Sequence, residues 1–473
     1  MRCGKNAAVG EKFMNWRKTG EKQVAVKDGT KKIIMLHACV IALLYALEVL
    51  LTRGLLSDSI QRIIRIWVGG VSGCLILRAL WKGRLLKKSD FWVCISFFLY
   101  TLGVTILYYG FSYHLFYSGF YFNWINILFL FFVVRTEERP DDVLRPLSFT
   151  YVLTILLQEI VILVHATYSL TEEIPGSDRM WGCFRVGRLC GMSNANMLSF
   201  HCMTVGLFSI LGWMKGKRKS KIFYGTVLFF QWFLMGMANC RTTIYALTFA
   251  IALFAMAKMR KRLTEKGKKI AWIWSAGILS FFVTFVLVAG SFLLPTVFYR
   301  GGITCVAKLT QDQRLLNNVS LVYERSVTDA DTLLDRQLVW NRSLELIFKN
   351  PRRAMLGISI RSKENVNGAY EGRHDIPLTF AHNSFLEVLR RFGLIGLCLW
   401  VTLLCLWGKR ALSVYFDVEK KGWLVFLAAG GAGVLLTGIT EMGPFFLYIV
   451  TGVPLFLFVC CGYCMRDEYD EKN

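Results

Sequence analysis

Residues 270–294 read IAWIWSAGILSFFVTFVLVAGSFLL, twenty-five positions without a charged side chain. At about 1.5 Å of rise per residue, a helix of that length crosses a hydrocarbon core of about 30 Å with some tilt. Working outward from it, eleven further stretches have the same character, near 33–51, 60–80, 91–111, 118–134, 147–167, 194–213, 222–239, 243–257, 385–407, 422–440 and 444–463. The 473-residue chain is 55% hydrophobic, its mean hydropathy is +0.45, and its charges cluster between these stretches. The expectation is an all-α polytopic membrane protein of about twelve transmembrane helices, with a long, partly helical extracytoplasmic loop between helices 9 and 10. The chain then divides into a basic cytoplasmic tail (1–32), helices 1–9 (33–294), the loop domain (295–384), helices 10–12 (385–463) and a short cytoplasmic tail (464–473). Because polar, basic residues precede the first span, that span is expected to act as an uncleaved signal anchor.

Orientation follows from the basic residues. Alternate segments, beginning with the N-terminal tail, hold 35 Lys and Arg, and the opposite side holds 21, of which 14 lie in or beside the long loop. Long loops escape the positive-inside rule, and the short ones put both termini in the cytoplasm. The net charge of +24 is therefore mostly topological. Its basic clusters are short interhelical loops beside lipid headgroups, so the lipid bilayer is the expected partner and nucleic acid is not.

The kind of base differs between the two sides. Of the inner residues 23 are Lys, whereas 18 of the 21 outer ones are Arg. A guanidinium is weakly hydrated and presents a fork of donors that fits phosphate oxygens, so an Arg-rich outer cavity suits a diphosphate at the membrane surface. The alternative is that these arginines snorkel and pair on an ordinary outer surface. The fourteen cysteines show no metal-ligand spacing: six sit inside spans, Cys460, Cys461 and Cys464 lie at the inner boundary, and a Cys183–Cys190 disulfide is left open.

Two outer segments carry most of the polar material. The first, about 168–193, holds Arg185 and Arg188 with Arg179, the acids Glu172, Glu173 and Asp178 and four glycines, then runs into Ser193-Asn194-Ala195-Asn196 at a span start. Its arginines are clamps on an anion or loop charges balanced by nearby acids. The second, about 295–384, is too long for a connection and should carry its own structure. Thr332-Leu333-Leu334-Asp335 reads as a capping box, a helix follows, and Asn350-Pro351 ends it. Arg336 and Trp340, four apart, share a face of that helix, which turns Arg336 towards the headgroup plane or leaves it as a solvated charge. Gly357-Ile358-Ser359-Ile360 reads as extended and Asn367-Gly368 as a turn.

The chain returns to the membrane through Ala381-His382-Asn383-Ser384-Phe385-Leu386-Glu387. An imidazole can take a proton from a sugar hydroxyl near neutral pH, which makes His382 the first candidate for a general base. Glu387 stands about 140° around the helix from His382. With Arg390 and Arg391 it places charge in the first turns of a span, where charge is expensive unless it faces a wet cavity. Asn239-Cys240-Arg241-Thr242-Thr243 is a turn or helix break between two spans; the lone Arg241 needs an anionic partner, a phosphate or the lipid headgroups. Asp329-Ala330-Asp331 has the form of a metal and sugar-nucleotide motif, but as outer residues beside a helix start these acids are better read as capping.

Taken together, Asp335-Arg336 and Trp340, then Asn350-Pro351 and Gly357, then His382-Asn383-Ser384-Phe385-Leu386-Glu387 running into Gly393-Leu394-Ile395-Gly396, resemble the O-antigen ligase and polysaccharide polymerase superfamily. Arg185 to Asn196 is similar to its loop before a span, and Asn239 to Thr242 to its Ser-Arg turn. Gly357-Ile358-Ser359 departs from the Gly-x-Gly often found there. The resemblance implies a metal-independent, inverting glycosyl transfer, without cofactor, on the outer face of the bacterial cytoplasmic membrane. The donor would be an undecaprenyl-diphosphate-linked glycan and the acceptor a glycan or a lipid-linked repeat unit. A flippase and a chain-length regulator are the candidate protein partners, in capsule or exopolysaccharide synthesis. It assigns the diphosphate to Arg241 and Arg336 and the acceptor hydroxyl to His382, with Arg185, Arg188, Asn383, Glu387 and Trp340 as binding support. The rival reading is a flippase of lipid-linked oligosaccharides, for which Glu48 and Glu159 would be the mid-membrane charges; no internal repeat supports it.

Overall fold

The computed structural model of the chain describes residues 29–47, 57–81, 85–86, 88–110, 119–137, 139–168, 184–185, 188–191, 195–311, 330–360, 381–441 and 452–466. In chain order the helices are α1 (Gly29–Leu47), α2 (Asp58–Trp81), α3 (Ser89–Tyr109), α4 (Gly119–Thr136), α5 (Asp141–Tyr168), α6 (Ala195–Lys215), α7 (Arg218–Ala238), α8 (Arg241–Glu265), α9 (Ile270–Ser291) and α10 (Leu293–Thr310). They continue with α11 (Ala330–Phe348), α12 (Pro351–Leu356), α13 (Ser384–Phe416), α14 (Gly422–Thr437) and α15 (Gly452–Cys464). A two-residue antiparallel hairpin, β1 (Phe184–Arg185) with β2 (Arg188–Leu189), precedes α6 and pairs Arg185 with Arg188.

Among the described residues nine helices are long and apolar enough to cross a membrane, and three shorter apolar helices fall on the remaining predicted stretches. The protein is an all-helical, multi-pass membrane protein. The expected spans and the helices differ most at two places. Helical structure interrupted only at Phe292 continues through α10 to Thr310, into what was expected to be loop, and α13 runs to Phe416 rather than stopping near 407. The helix expected to begin at the Thr332 capping box already begins at Ala330. The Asn367-Gly368 turn, Asp329, Cys183, Glu48, Ser193-Asn194, residues 1–28 and residues 467–473 lie outside the described residues.

The interior is aromatic. Trp124, Phe131, Trp407 and Phe458 are buried and meet in edge-on or tilted pairs, with Trp407 and Phe458 centroids 5.0 Å apart and Trp124 and Phe458 5.6 Å apart. Such geometries set the positive ring edge against a negative face. By contrast α9 leaves Trp272, Leu279, Phe282 and Leu287 exposed, as a helix facing hydrocarbon should. Close helix contact comes from small residues: a Cβ on Gly433 of α14 would stand 2.5 Å from the carbonyl oxygen of Ala246 in α8. The predicted mid-membrane acid Glu159 is enclosed, accepting from Gln231 Nε2 at 2.6 Å and Cys202 Sγ at 3.3 Å.

Two ends of the bundle can be told apart by following α6. Its last residue, Lys215, pairs with Asp141 at the start of α5, beside Tyr463. Its second residue, Asn196, belongs to a polar cluster at the other end, where α6, α8 and α13 begin and α7 and α14 stop.

Candidate functional site

The site rests on a break in α13. Gly393 has φ 65° and ψ −171°, a conformation that favours glycine, and it interrupts the helix nine residues after its start at Ser384. The break frees two carbonyls, and Ile358 N donates to Arg390 O (3.1 Å) and Ser359 N to Arg391 O (2.8 Å). Gly357, with φ 76°, makes this approach possible: a Cβ there would lie 2.3 Å from the carbonyl carbon of Arg391. Tyr100 ties both strands of the junction, donating to Phe392 O at 2.9 Å and Met355 O at 3.3 Å. The stretch Gly357–Ile360 therefore pairs with a helix kink and forms no strand, and Ser359 itself turns back at φ 70°.

Glu387 lies inside this frame. Its carboxylate accepts from Arg390 Nε (3.1 Å), Arg390 Nη2 (2.8 Å) and Arg391 Nε (2.7 Å), and all three side chains are buried. These charges meet one another, one carboxylate being shared by two guanidinium groups at the i+3 and i+4 spacings of one helix. The same carboxylate accepts from Ala381 N at 3.0 Å, and so holds the residue before His382.

His382 takes a left-handed conformation, φ 48°. Asn383 caps α13, its Oδ1 accepting from Leu386 N (2.9 Å) while its Nδ2 donates to Ile439 O (3.0 Å). Ser384 N donates to Gly438 O and Ser384 Oγ to Glu441 O, both at 2.8 Å. The end of α14 is thereby laced to the start of α13, which brings Glu441 beside His382.

Glu441 is the centre of the cluster. Arg336 Nη2 donates to its Oε1 at 2.9 Å, and His382 Nδ1 lies 3.4 Å from its Oε2. Asn196 Nδ2 donates to Oε1 at 3.5 Å, and Arg188 Nη2 in turn donates to Asn196 Oδ1 at 2.7 Å. Arg188 Nε is fixed on Ala238 O, the last carbonyl of α7, at 2.7 Å. The Arg336, His382 and Glu441 side chains are 26%, 35% and 11% exposed, so the cluster is lined by the fold yet open to a ligand. Arg336 uses one of its five N–H donors on Glu441. A carboxylate on Nδ1 orients the ring and leaves Nε2 to accept a proton.

Arg241 is the first residue of α8 and is exposed; its neighbour Thr242 pairs with Thr440 at 3.0 Å, which sets it on the same rim. Asn239 makes the turn before it in a left-handed conformation, φ 45°. The starts of α6, α8 and α13 converge here, adding the partial positive charge of three helix N-termini to the guanidinium groups. Trp340 stands one turn beyond Arg336, half-buried, its Nε1 without a hydrogen-bond partner among the described residues. Arg185 lies across the hairpin from Arg188, and its side chain is outside the described residues.

Arg188, Arg336, His382 and Asn383 are thus brought together, Arg241 lies on their rim, and Glu387 is the buried support beneath them. Glu441 and the bridging role of Asn196 were not foreseen. The signal for Glu441 was present, a single acid in Gly438-Ile439-Thr440-Glu441 between two apolar stretches at the outer boundary.

Fold and site together define a multi-pass membrane protein with guanidinium, imidazole and carboxylate groups gathered at one end of its bundle. Residues 226–401 match the family described as O-antigen ligase, a segment running from α7 into α13 that contains Arg241, Arg336, Trp340, His382, Asn383 and Glu387. Over that segment the chain resembles the O-antigen ligase and polysaccharide polymerase superfamily. No curated protein matches the chain.

Proposed function

We propose that the protein is a metal-independent, inverting glycosyltransferase of the bacterial cytoplasmic membrane. In this reading twelve spans leave both termini in the cytoplasm and the His382 cluster on the outer face. The donor is a glycan on undecaprenyl diphosphate and the acceptor is a hydroxyl of a second glycan or lipid-linked repeat unit. The acceptor oxygen attacks the anomeric carbon, its proton passes to Nε2 of His382, and the bond to the diphosphate oxygen breaks. Arg336 and Arg241 take up the charge that develops on the departing diphosphate, helped by the three helix N-termini. Glu441 orients the imidazole and stabilises it once protonated. Arg188 with Asn196, and Trp340, border the donor; Glu387 and Asn383 act as positioning residues.

One observation carries the reading: Arg336 and His382, from separate segments, meet on the two oxygens of Glu441. A diphosphate leaving group is already activated, so a base and cations suffice. Transport would need charges lining a passage at mid-membrane depth, whereas both oxygens of Glu159 are engaged by neighbouring side chains. The test is transfer from a pre-flipped, lipid-linked donor by the purified chain, where His382→Ala is expected to abolish product while the protein stays folded. Product length then separates polymerase from ligase.

A further inference from the structure

The other end of the bundle carries a cavity that glycosyl transfer does not use. From Asn196 in the His382 cluster, α6 runs nineteen residues to Lys215, about 30 Å of helix, which is about one hydrocarbon thickness. Lys215 holds Asp141, and beside Asp141 opens a cavity of about 460 Å³ where α1 and α5 begin.

Four bases line it: Lys31 and Lys32 from α1, Arg139 before α5 and Arg145 within α5. Three acids line it too, but Asp141 is already engaged by Lys215 and by the Tyr463 hydroxyl at 2.7 Å, leaving Glu137 and Asp142 against the four. The 28 residues before α1 add seven Lys or Arg and three acids, so the positive excess extends beyond the cavity. The cavity is not purely polar. Ile34 and Glu137 also border a narrower cleft between α1, α2 and α4, whose walls include Ile76, Phe129, Phe132 and Val133. Arg78 stands at the rim of that cleft and donates to Thr30 Oγ1 at 2.8 Å.

A basic chamber at headgroup level that continues as an apolar cleft towards the hydrocarbon matches a phospholipid, a phosphate above and acyl chains below. We propose that this cavity binds the headgroup of an anionic phospholipid from the leaflet on the side where α1 begins, with the start of an acyl chain in the cleft beside Ile34. Zwitterionic headgroups carry an ammonium that the four bases repel, so the site discriminates by charge. It rests on the membrane-spanning fold and not on the glycosyl-transfer reading.

The test is lipid retention by the full-length chain in detergent, offered an equimolar mixture of phosphatidylglycerol and phosphatidylcholine and examined by native mass spectrometry. Wild type is expected to keep phosphatidylglycerol in preference to phosphatidylcholine. The triple variant Lys31→Gln, Lys32→Gln, Arg145→Gln should lose that preference at least tenfold. Lys217→Gln, Lys219→Gln, Lys221→Gln, which removes equal charge from the start of α7, should keep it. Ile34→Trp, which narrows the apolar cleft without altering charge, should lower retention, and glycerol 3-phosphate should not compete. An equal loss in both triple variants would mean diffuse charge attraction, and competition by glycerol 3-phosphate would mean a soluble-anion site; either overturns the proposal, as does wild-type retention in the cavity variant. Monodisperse elution of each variant separates loss of the site from loss of the fold.

Discussion

Gly357 and Gly393 sit on facing segments, each with positive φ, and each lies against the backbone just before the other: a Cβ on Gly357 would meet the Arg391–Phe392 peptide, and one on Gly393 the Met355–Leu356 peptide. A Cβ on Gly393 would stand 2.2 Å from the carbonyl oxygen of Met355, and backbone atoms cannot swing aside as a side chain can. The contact fixes the break in α13, and with it the angle at which the His382 segment leaves the bundle. Gly393→Ala is expected to combine a positive-φ penalty of about 1–3 kcal/mol with this clash. The check is the thermal unfolding midpoint in detergent, which should fall clearly, whereas Gly290→Ala, where nothing lies within 4 Å of the added Cβ, should leave it nearly unchanged.

Glu387 separates framework from chemistry. Arg390 and Arg391 are buried beside it, so Glu387→Ala takes from both the carboxylate they pair with, and removing one partner of a buried pair costs about 3–5 kcal/mol. Loss of folded protein is the expected outcome, seen as aggregation on size exclusion. A well-folded, inactive Glu387→Ala protein would instead assign its carboxylate to the substrate.

Glu441 makes the opposite prediction. Its carboxylate meets partners that are about a quarter and a third exposed, and the amide is uncharged but isosteric, so Glu441→Gln should retain the fold and reduce transfer at least tenfold, through a misoriented His382 and a released Arg336. Monodisperse protein with unchanged turnover would remove Glu441 from the mechanism.

Arg188 is held by two bonds from separate nitrogens of its fork, to Ala238 O and Asn196 Oδ1. A lysine is a single point donor and cannot reproduce both. Arg188→Lys is therefore expected to lower kcat/KM several-fold, about the effect of one lost hydrogen bond of about 1 kcal/mol. Asn196→Ala should produce a similar loss, and the double variant should lose less than the product of the two because the residues share one bond.

The helical bundle was legible because hydropathy over about 20 residues is a local property, so each predicted span could be read without its neighbours. Where α9 runs on into α10 the end of the helix was not legible, since the predicted span stops at 294 and the helix continues past Arg300 and Lys308. His382, Arg336 and Arg188 were legible by residue type at a membrane boundary. Glu441 was not, because its partners lie 59, 105 and 245 positions away and no spacing links them. The spacing of Glu387 to Arg390 and Arg391 was visible, yet whether three charges at i, i+3 and i+4 face water or one another depends on the Gly393 break, which only the folded chain reveals.

Metal-free transfer through His382 and Arg336 is measured as release of undecaprenyl diphosphate from a lipid-linked oligosaccharide, in the presence of acceptor and a chelator, by the purified wild-type chain, His382→Ala and Arg336→Ala. The account predicts release by the wild type despite the chelator, with losses of about 10²-fold or more in the folded variants. Release abolished by the chelator would contradict metal independence, and variants that matched the wild type would contradict the assignment of His382 and Arg336.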